Sequence, residues 1–274
     1  MRNKIGKLEE AEPCFQTAIS SYGVNIGFRA DCLEGLNSIE QFLPFGCERS
    51  EADRPDIIFS VIKDSSGKFK LYAGARKVDE SYVIEDIFLR FQSRSQLYIA
   101  AHTQQMAFIH AGVVAVGPKA IIIPGRSYTG KTTLVAEFIK AGAIYYSDEY
   151  AVLDAMGRAH PFPKPLSIRD ITGKQRDVSA ERMGARIGID SAEVGLILVT
   201  KYKDGAEWRT KEADSVAGIK ALTMNSISIR QAPELALRAI AKATSGALVL
   251  KSSRGDASYL VKDVMSKVQD WALI

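Results

Sequence analysis

Eight consecutive residues, Gly125-Arg126-Ser127-Tyr128-Thr129-Gly130-Lys131-Thr132, fit the pattern G-x-x-x-x-G-K-[ST] at every fixed position. Each position has a chemical reason. Backbone N–H groups must turn inward around phosphate oxygens, and glycine permits both the turn and the close approach. Lys131 supplies a cation for the outer phosphates of a nucleotide, and the Thr132 hydroxyl is a ligand for Mg²⁺. Gly125, Ser127, Thr129, Gly130, Lys131 and Thr132 are therefore the expected nucleotide contacts, with Thr133 completing the set as a first-turn helix residue. Fifteen or so residues further on, Asp148-Glu149 places two carboxylates side by side. Phosphoryl transfer needs a metal to bridge phosphates and a group to orient the nucleophile, and an acidic pair can serve both needs. Three further residues have chemistry to offer. His110 lies in an apolar run where a histidine is ordinarily a satisfied core residue. Arg169 follows a short extended piece and could clamp a phosphate or make a surface ion pair. His160 stands among prolines and reads as a rigid loop residue.

Such residues work only if elements hold them together. Ile121-Ile122-Ile123 reads as a buried strand leading into the loop. Leu134, Val135, Phe138 and Ile139 recur at helical spacing after it, and Gly142 stands at the expected helix stop. Strand, glycine loop and helix N-terminus form the context in which this motif binds anions. Ala107 to Val116 and Ala120 to Ile123 read as two buried strands joined at Gly117-Pro118. Tyr145-Tyr146-Ser147 ends a further strand just before the acidic pair. In an open α/β sheet the carboxyl ends of strands line the ligand crevice, so the pair stands beside the loop if the two strands are parallel neighbours. Helical patterns over 213–224, 233–244 and 256–272, alternating with strands at Leu196–Val199 and Ala247–Leu250, predict an α/β core. Upstream, alternation at Val24, Ile26 and Phe28 and strand-like runs at 56–63 and 69–73 around Ser65-Ser66-Gly67 predict a small α+β region. Residues 85–104 fit a helix or a strand. The boundary is placed near residue 100, giving an N-terminal cap over 1–100 and a nucleotide-binding domain over 101–274.

Length and composition set the outer limits. The 274 residues are 46% hydrophobic and 25% charged, ordinary for a globular chain. No stretch reaches the ~18 uninterrupted apolar residues of a membrane span. Residues 1–13 are charged with no apolar core, so no secretory signal is expected there. Three cysteines (Cys14, Cys32 and Cys47) without a C-x-x-C pair argue against a disulfide framework or zinc site and predict a reducing, cytoplasmic setting. The net charge of +4 is uneven: residues 1–95 carry 13 Lys and Arg against 15 Asp and Glu, and the remainder is basic. That suits an anionic ligand. No basic cluster interleaved with aromatics points to nucleic acid.

The ordered set His110-Ala111-Gly112-Val113-Val114, Ile123-Pro124-Gly125 into the loop, Gly142-Ala143, and Tyr146-Ser147-Asp148-Glu149 resembles the catalytic domain of the HPr serine kinase/phosphorylase family. It is similar in particular to the HPr-kinase-like proteins that include lasso-peptide precursor serine kinases. The core of these proteins is in turn similar to ATP-dependent phosphoenolpyruvate carboxykinase. The resemblance runs from about Ala107 to Arg169. It implies a P-loop-containing, HPr-kinase/carboxykinase-like α/β core with ATP and Mg²⁺ as cofactors. Asp148 takes the place of the family's catalytic acid/base aspartate and Glu149 that of its metal-associated neighbour, so Thr132, Asp148 and Glu149 are the implied metal set. His110 falls on the family's histidine and Arg169 near its active-site arginine. The chain departs from the family pattern in Tyr128 for a loop glycine, in Asp-Glu for Asp-Asp, and in Ser167 where the family signature carries Glu.

These readings together predict a kinase that moves the γ-phosphoryl group of ATP to a serine hydroxyl on a protein or peptide. No nucleic-acid or membrane partner is expected, and a homo-oligomer stays open. Two alternatives stand beside it: a nucleotide-sensing module without catalysis, and a kinase for a small molecule such as free serine or a carboxykinase-like substrate.

Overall fold

The computed structural model describes residues 15–31, 39–51, 54–126, 129–169 and 175–273. Its chain is mixed α/β and divides into two compact units, Met1–Thr103 and Gln104–Ile274.

Among the described residues of the first unit, six strands and one long helix share a core. The strands are β1 (Phe15–Ser21), β2 (Val24–Ala30), β3 (Glu48–Arg49), β4 (Ile57–Lys63), β5 (Phe69–Ala73) and β6 (Arg76–Ser81), in sheet order β3-β1-β2-β4-β5-β6. Among the described strands of this sheet the β2–β4 pair alone is parallel. The β1–β2 hairpin turns on Tyr22 and Gly23, both at positive φ (47° and 75°), the turn whose twist matches that of the strands it joins. The ambiguous stretch after residue 84 is helix α1 (Ile84–His102). It packs Ile87, Phe88, Phe91 and Ile99 onto Phe28, Phe59, Val61 and Leu71 of the sheet. Phe91 meets Phe28 and Phe59 edge-on at 5.0 and 5.4 Å between ring centroids. A single 3-10 turn stands at Ile39–Phe42, with Ile39 buried.

The second unit is a sheet covered on both faces. Its strands are β7 (Ala107–Val116), β8 (Lys119–Pro124), β9 (Ile144–Ser147), β10 (Tyr150–Leu153), β11 (Ala159–His160), β14 (Glu193–Tyr202), β15 (Glu212–Ala213) and β16 (Leu248–Arg254). A separate two-stranded piece, β12 (Leu166–Arg169) with β13 (Gln175–Val178), stands apart from them. Sheet order is β11-β10-β7-β8-β14-β16-β15, with β9 on the β10 side of β7. The helices are α2 (Lys131–Lys140), α3 (Ser215–Asn225), α4 (Pro233–Thr244) and α5 (Ala257–Val268). Leu134, Val135, Phe138 and Ile139 of α2 pack with Leu260, Val261 and Val264 of α5 on one face. Leu222 of α3 and Ala236, Ala239 and Ile240 of α4 pack on the other. Strands sandwiched this way read as nearly continuous apolar runs, as β7 does apart from His110 and β8 does after Lys119. Each fully buried large side chain contributes roughly 1.5–3 kcal/mol.

The topology corrects one expectation. β8 and β9 are not neighbours: β7 runs between them, antiparallel to both. β8 and β9 still point the same way, because two antiparallel steps restore direction. The carboxyl ends of β8, β9, β14 and β16 therefore open on one edge of the sheet.

Candidate functional site

Helix α2 begins at Gly130, whose φ of 82° is left-handed and costs a non-glycine residue strain. A Cβ there would also stand 2.3 Å from Nη2 of Arg254. Among the described residues no side chain caps this N-terminus. By contrast, Asp214 caps α3 by accepting from the Ala217 N–H, and Asp256 caps α5 by accepting from the Ser258 N–H. The open N–H groups of α2, with no acidic residue in its first turn, favour an anion. Thr129 and Lys131 both donate to the Arg126 carbonyl, Oγ1 at 2.8 Å and Nζ at 2.9 Å. Thr133 is exposed on the first turn. Gly125 is buried at the end of β8. Ser127 and Tyr128 lie outside the described residues.

The acidic turn reaches this loop through β7. The His110 carbonyl accepts from the Gly125 N–H at 3.1 Å, and the Ala111 N–H donates to the Glu149 carbonyl at 3.2 Å. Adjacent residues of one strand thus tie the phosphate loop on one side and the acidic turn on the other. Beside them Gly112 lets α2 come close, since a Cβ there would lie 2.6 Å from Val135 Cγ2. His110 is the single residue of β7 that is not fully buried, and its ring sits 5.3 Å from that of Tyr150. Burial holds its pKa below the ordinary histidine value, with Lys131 adding to the effect and Glu149 opposing it.

The two carboxylates take different partners. Asp148 Oδ2 accepts from the Thr132 hydroxyl at 2.8 Å, and its Oδ1 is buried with no hydrogen-bond partner. Burial pushes the Asp148 carboxyl up to about 6, although the Thr132 bond and the Lys131 ammonium pull it down. Burial likewise lowers the Lys131 pKa against the pull of Asp148 and Glu149. Glu149 Oε2 instead accepts from Lys164 Nζ at 2.5 Å. Lys164 stands between Pro163 and Pro165, and its carbonyl accepts from the Tyr145 hydroxyl at 2.6 Å. Nothing in the spacing of the sequence marked Lys164, which joins the site only through tertiary folding. Arg169 closes β12, a strand packed against α2, and its side chain lies outside the described residues. His160 pairs with Asp154 at 2.8 Å on the β10–β11 hairpin, as a structural residue would.

A Mg²⁺ ion fits this arrangement. A buried, unpartnered carboxylate oxygen beside a threonine hydroxyl is a hard-oxygen donor pair, and Mg²⁺ commonly takes only one or two protein ligands with phosphate and water completing its shell. Among the described residues no group of three or more His, Cys, Asp or Glu forms a protein-only metal cage. No helix among them is long and apolar enough to cross a membrane.

No known family model matches the chain. Nor does any curated protein match it. Among solved structures the chain is similar to the Hpr(Ser) kinase/phosphatase from Coxiella burnetii. The identity is 14%, over 61% of this chain and 97% of that one, with a TM-score of 0.31. A likeness of that size decides neither fold nor chemistry, which rest on the residues above.

Proposed function

We propose that this chain is an ATP- and Mg²⁺-dependent kinase with an HPr-kinase-like P-loop core, transferring the γ-phosphoryl group to a serine hydroxyl on a protein or peptide. One observation carries the reading: the Thr132–Asp148 hydrogen bond, which brings the phosphate-loop helix and the acidic turn together, with Asp148 Oδ1 buried beside it. When bound, Mg²⁺ supplies charge neutralisation at the phosphates, and Thr132 and Asp148 are the residues that would hold it. Lys131 leaves the Arg126 carbonyl for the outer phosphates, and the uncapped N–H groups of α2 hold them. Asp148, or Glu149 once released by Lys164, would accept the serine proton as the new O–P bond forms and the bond from the γ-phosphorus to the β–γ bridging oxygen breaks, with ADP leaving. His110 and Ala111 hold the loop and the acidic turn in register through their backbone, the first bonding Gly125 and the second Glu149. The protein's contribution is positioning and electrostatics more than covalent chemistry.

The test offers γ-labelled ATP to serine-containing peptides, phosphocarrier proteins and free serine, with and without Mg²⁺. Label should pass to a protein or peptide serine in a Mg²⁺-dependent manner, and Lys131→Ala should abolish it. ATP binding with no transfer to any acceptor would favour a nucleotide-sensing module, and transfer to free serine alone a small-molecule kinase.

A further inference from the structure

The phosphate loop has two flanks along the carboxyl edge of the sheet, and they differ in chemistry. On the β7–β9 side lie Lys164 and the acidic pair. On the β14–β16 side a cavity of about 1180 Å³ opens between the first turn of α2, the loop after β14 and the first turn of α5. Gly130 and Thr133 of the phosphate-loop helix form one wall, while Tyr202, Trp208, Arg254 and Tyr259 line the rest. Arg254 is 2% exposed. Its Nη2 donates to the Gly130 carbonyl at 2.8 Å, its Nη1 donates to the Gly255 carbonyl at 3.1 Å, and its buried Nε has no partner. Its guanidinium lies 5.7 Å from the centroid of the Tyr202 ring, whose side chain is half exposed. Trp208 is fixed by donating its indole N–H to Asp263 at 2.9 Å.

We infer that this cavity is the nucleoside subsite: it takes the base and ribose of the nucleotide whose phosphates occupy the loop, and so sets which way the nucleotide lies. The inference rests on the nucleotide-binding reading above. Three observations carry it. The reacting phosphate must lie on the acidic flank, so the rest of the nucleotide must leave the loop toward the other flank, and Gly130 and Thr133 already belong to the cavity wall. The lining offers aromatic rings and a guanidinium plane, which suit a flat heterocycle. Its carboxylates, Glu137, Asp204, Glu207 and Asp256, outnumber the one arginine and repel a second phosphate group, yet can accept from ribose hydroxyls. The volume exceeds what a nucleoside needs and is of the usual order for a ligand cleft.

Calorimetry on the full chain separates the two halves of the ligand, with ATP as one probe and inorganic tripolyphosphate as the other, both with Mg²⁺. The wild type should bind ATP more tightly than tripolyphosphate. Tyr202→Ala should weaken ATP about tenfold, the scale of one lost base–aromatic stack. It should leave tripolyphosphate within about twofold, as expected for a site that does not touch the phosphates. Tyr202→Phe keeps the ring and should retain ATP affinity, and Tyr259→Ala gives an independent exposed variant with the same expected direction as Tyr202→Ala. Equal loss of both ligands in the alanine variants, or no loss of either, overturns the subsite while leaving the phosphate loop standing. An oligo-lysine peptide is the third probe: its binding by the wild type and loss in the alanine variants, with ATP unaffected, also overturns the subsite and marks the cleft as an acidic peptide groove. A wild type that binds neither phosphate probe overturns the nucleotide reading and the subsite together.

Discussion

At the residue scale, the proposed function rests on Lys131, Asp148 and Glu149. Lys131→Ala should reduce ATP affinity by about a hundredfold or more, since one charge-assisted contact to phosphate is worth some 1.5–3 kcal/mol and this lysine faces several oxygens. Circular dichroism should stay unchanged, because among the described residues the one hydrogen bond of Nζ is to the Arg126 carbonyl. Asp148→Asn keeps shape and the Thr132 contact but removes charge. Turnover should fall by roughly 10²–10⁴ while ATP affinity moves by less than about tenfold, the pattern of a positioned base; unchanged turnover would move that role to Glu149. The raised pKa of Asp148 also predicts how metal-free protein responds to pH. Its ordinary value is 3.8 and its folded value about 6. Between those values the folded state holds the proton that the unfolded chain releases, so stability is highest below the window and falls as pH rises through it. Urea midpoints should therefore drop between pH 4 and 6 in the wild type and stay flatter in Asp148→Asn.

Among the elements, the decisive contact is helix α2 against β7. Gly112 permits it, because any Cβ would overlap Val135. Gly112→Ala should cost about 1–3 kcal/mol, the usual penalty for overpacking a filled core. Val135→Ala in the same chain should recover much of that loss, which a double-mutant cycle in urea would read as coupling. The strand matters for function as well as packing. It bonds the phosphate loop at His110 and the acidic turn at Ala111, so displacing α2 from β7 should also weaken ATP binding. Additivity in the cycle would mean the two side chains do not meet as described.

For the molecule as a whole, all nucleotide-contacting candidates lie within Gln104–Ile274, and the first unit has a core of its own. ATP with Mg²⁺ at about 100 times its dissociation constant should stabilise the ligand-bound unit by about 2.7 kcal/mol. Hydrogen exchange should slow in β8, α2 and β9, with residues 15–102 unchanged. Slowing confined to residues 15–102 would place the nucleotide elsewhere.

The phosphate loop was legible in the amino-acid order because its demands are local: glycines for the turn, a lysine, a hydroxyl, and a strand and helix whose periodicities differ. The acidic pair was legible as chemistry for the same reason, and the buried strands by their unbroken apolar runs. Helix α1 was not, since Ile87, Phe88, Phe91 and Ile99 sort into one face only when the sheet of the first unit stands opposite. Nor could local order reveal that β7 separates β8 from β9, because strand order is set by which apolar faces can be covered at once. Lys164 and Arg254 carried no spacing signal at all. The first meets Glu149 from 15 residues away, and the second meets Gly130 from 124 residues away. Their charges are placed by the packing of distant segments around one sheet, and only the assembled sheet edge makes them part of a site.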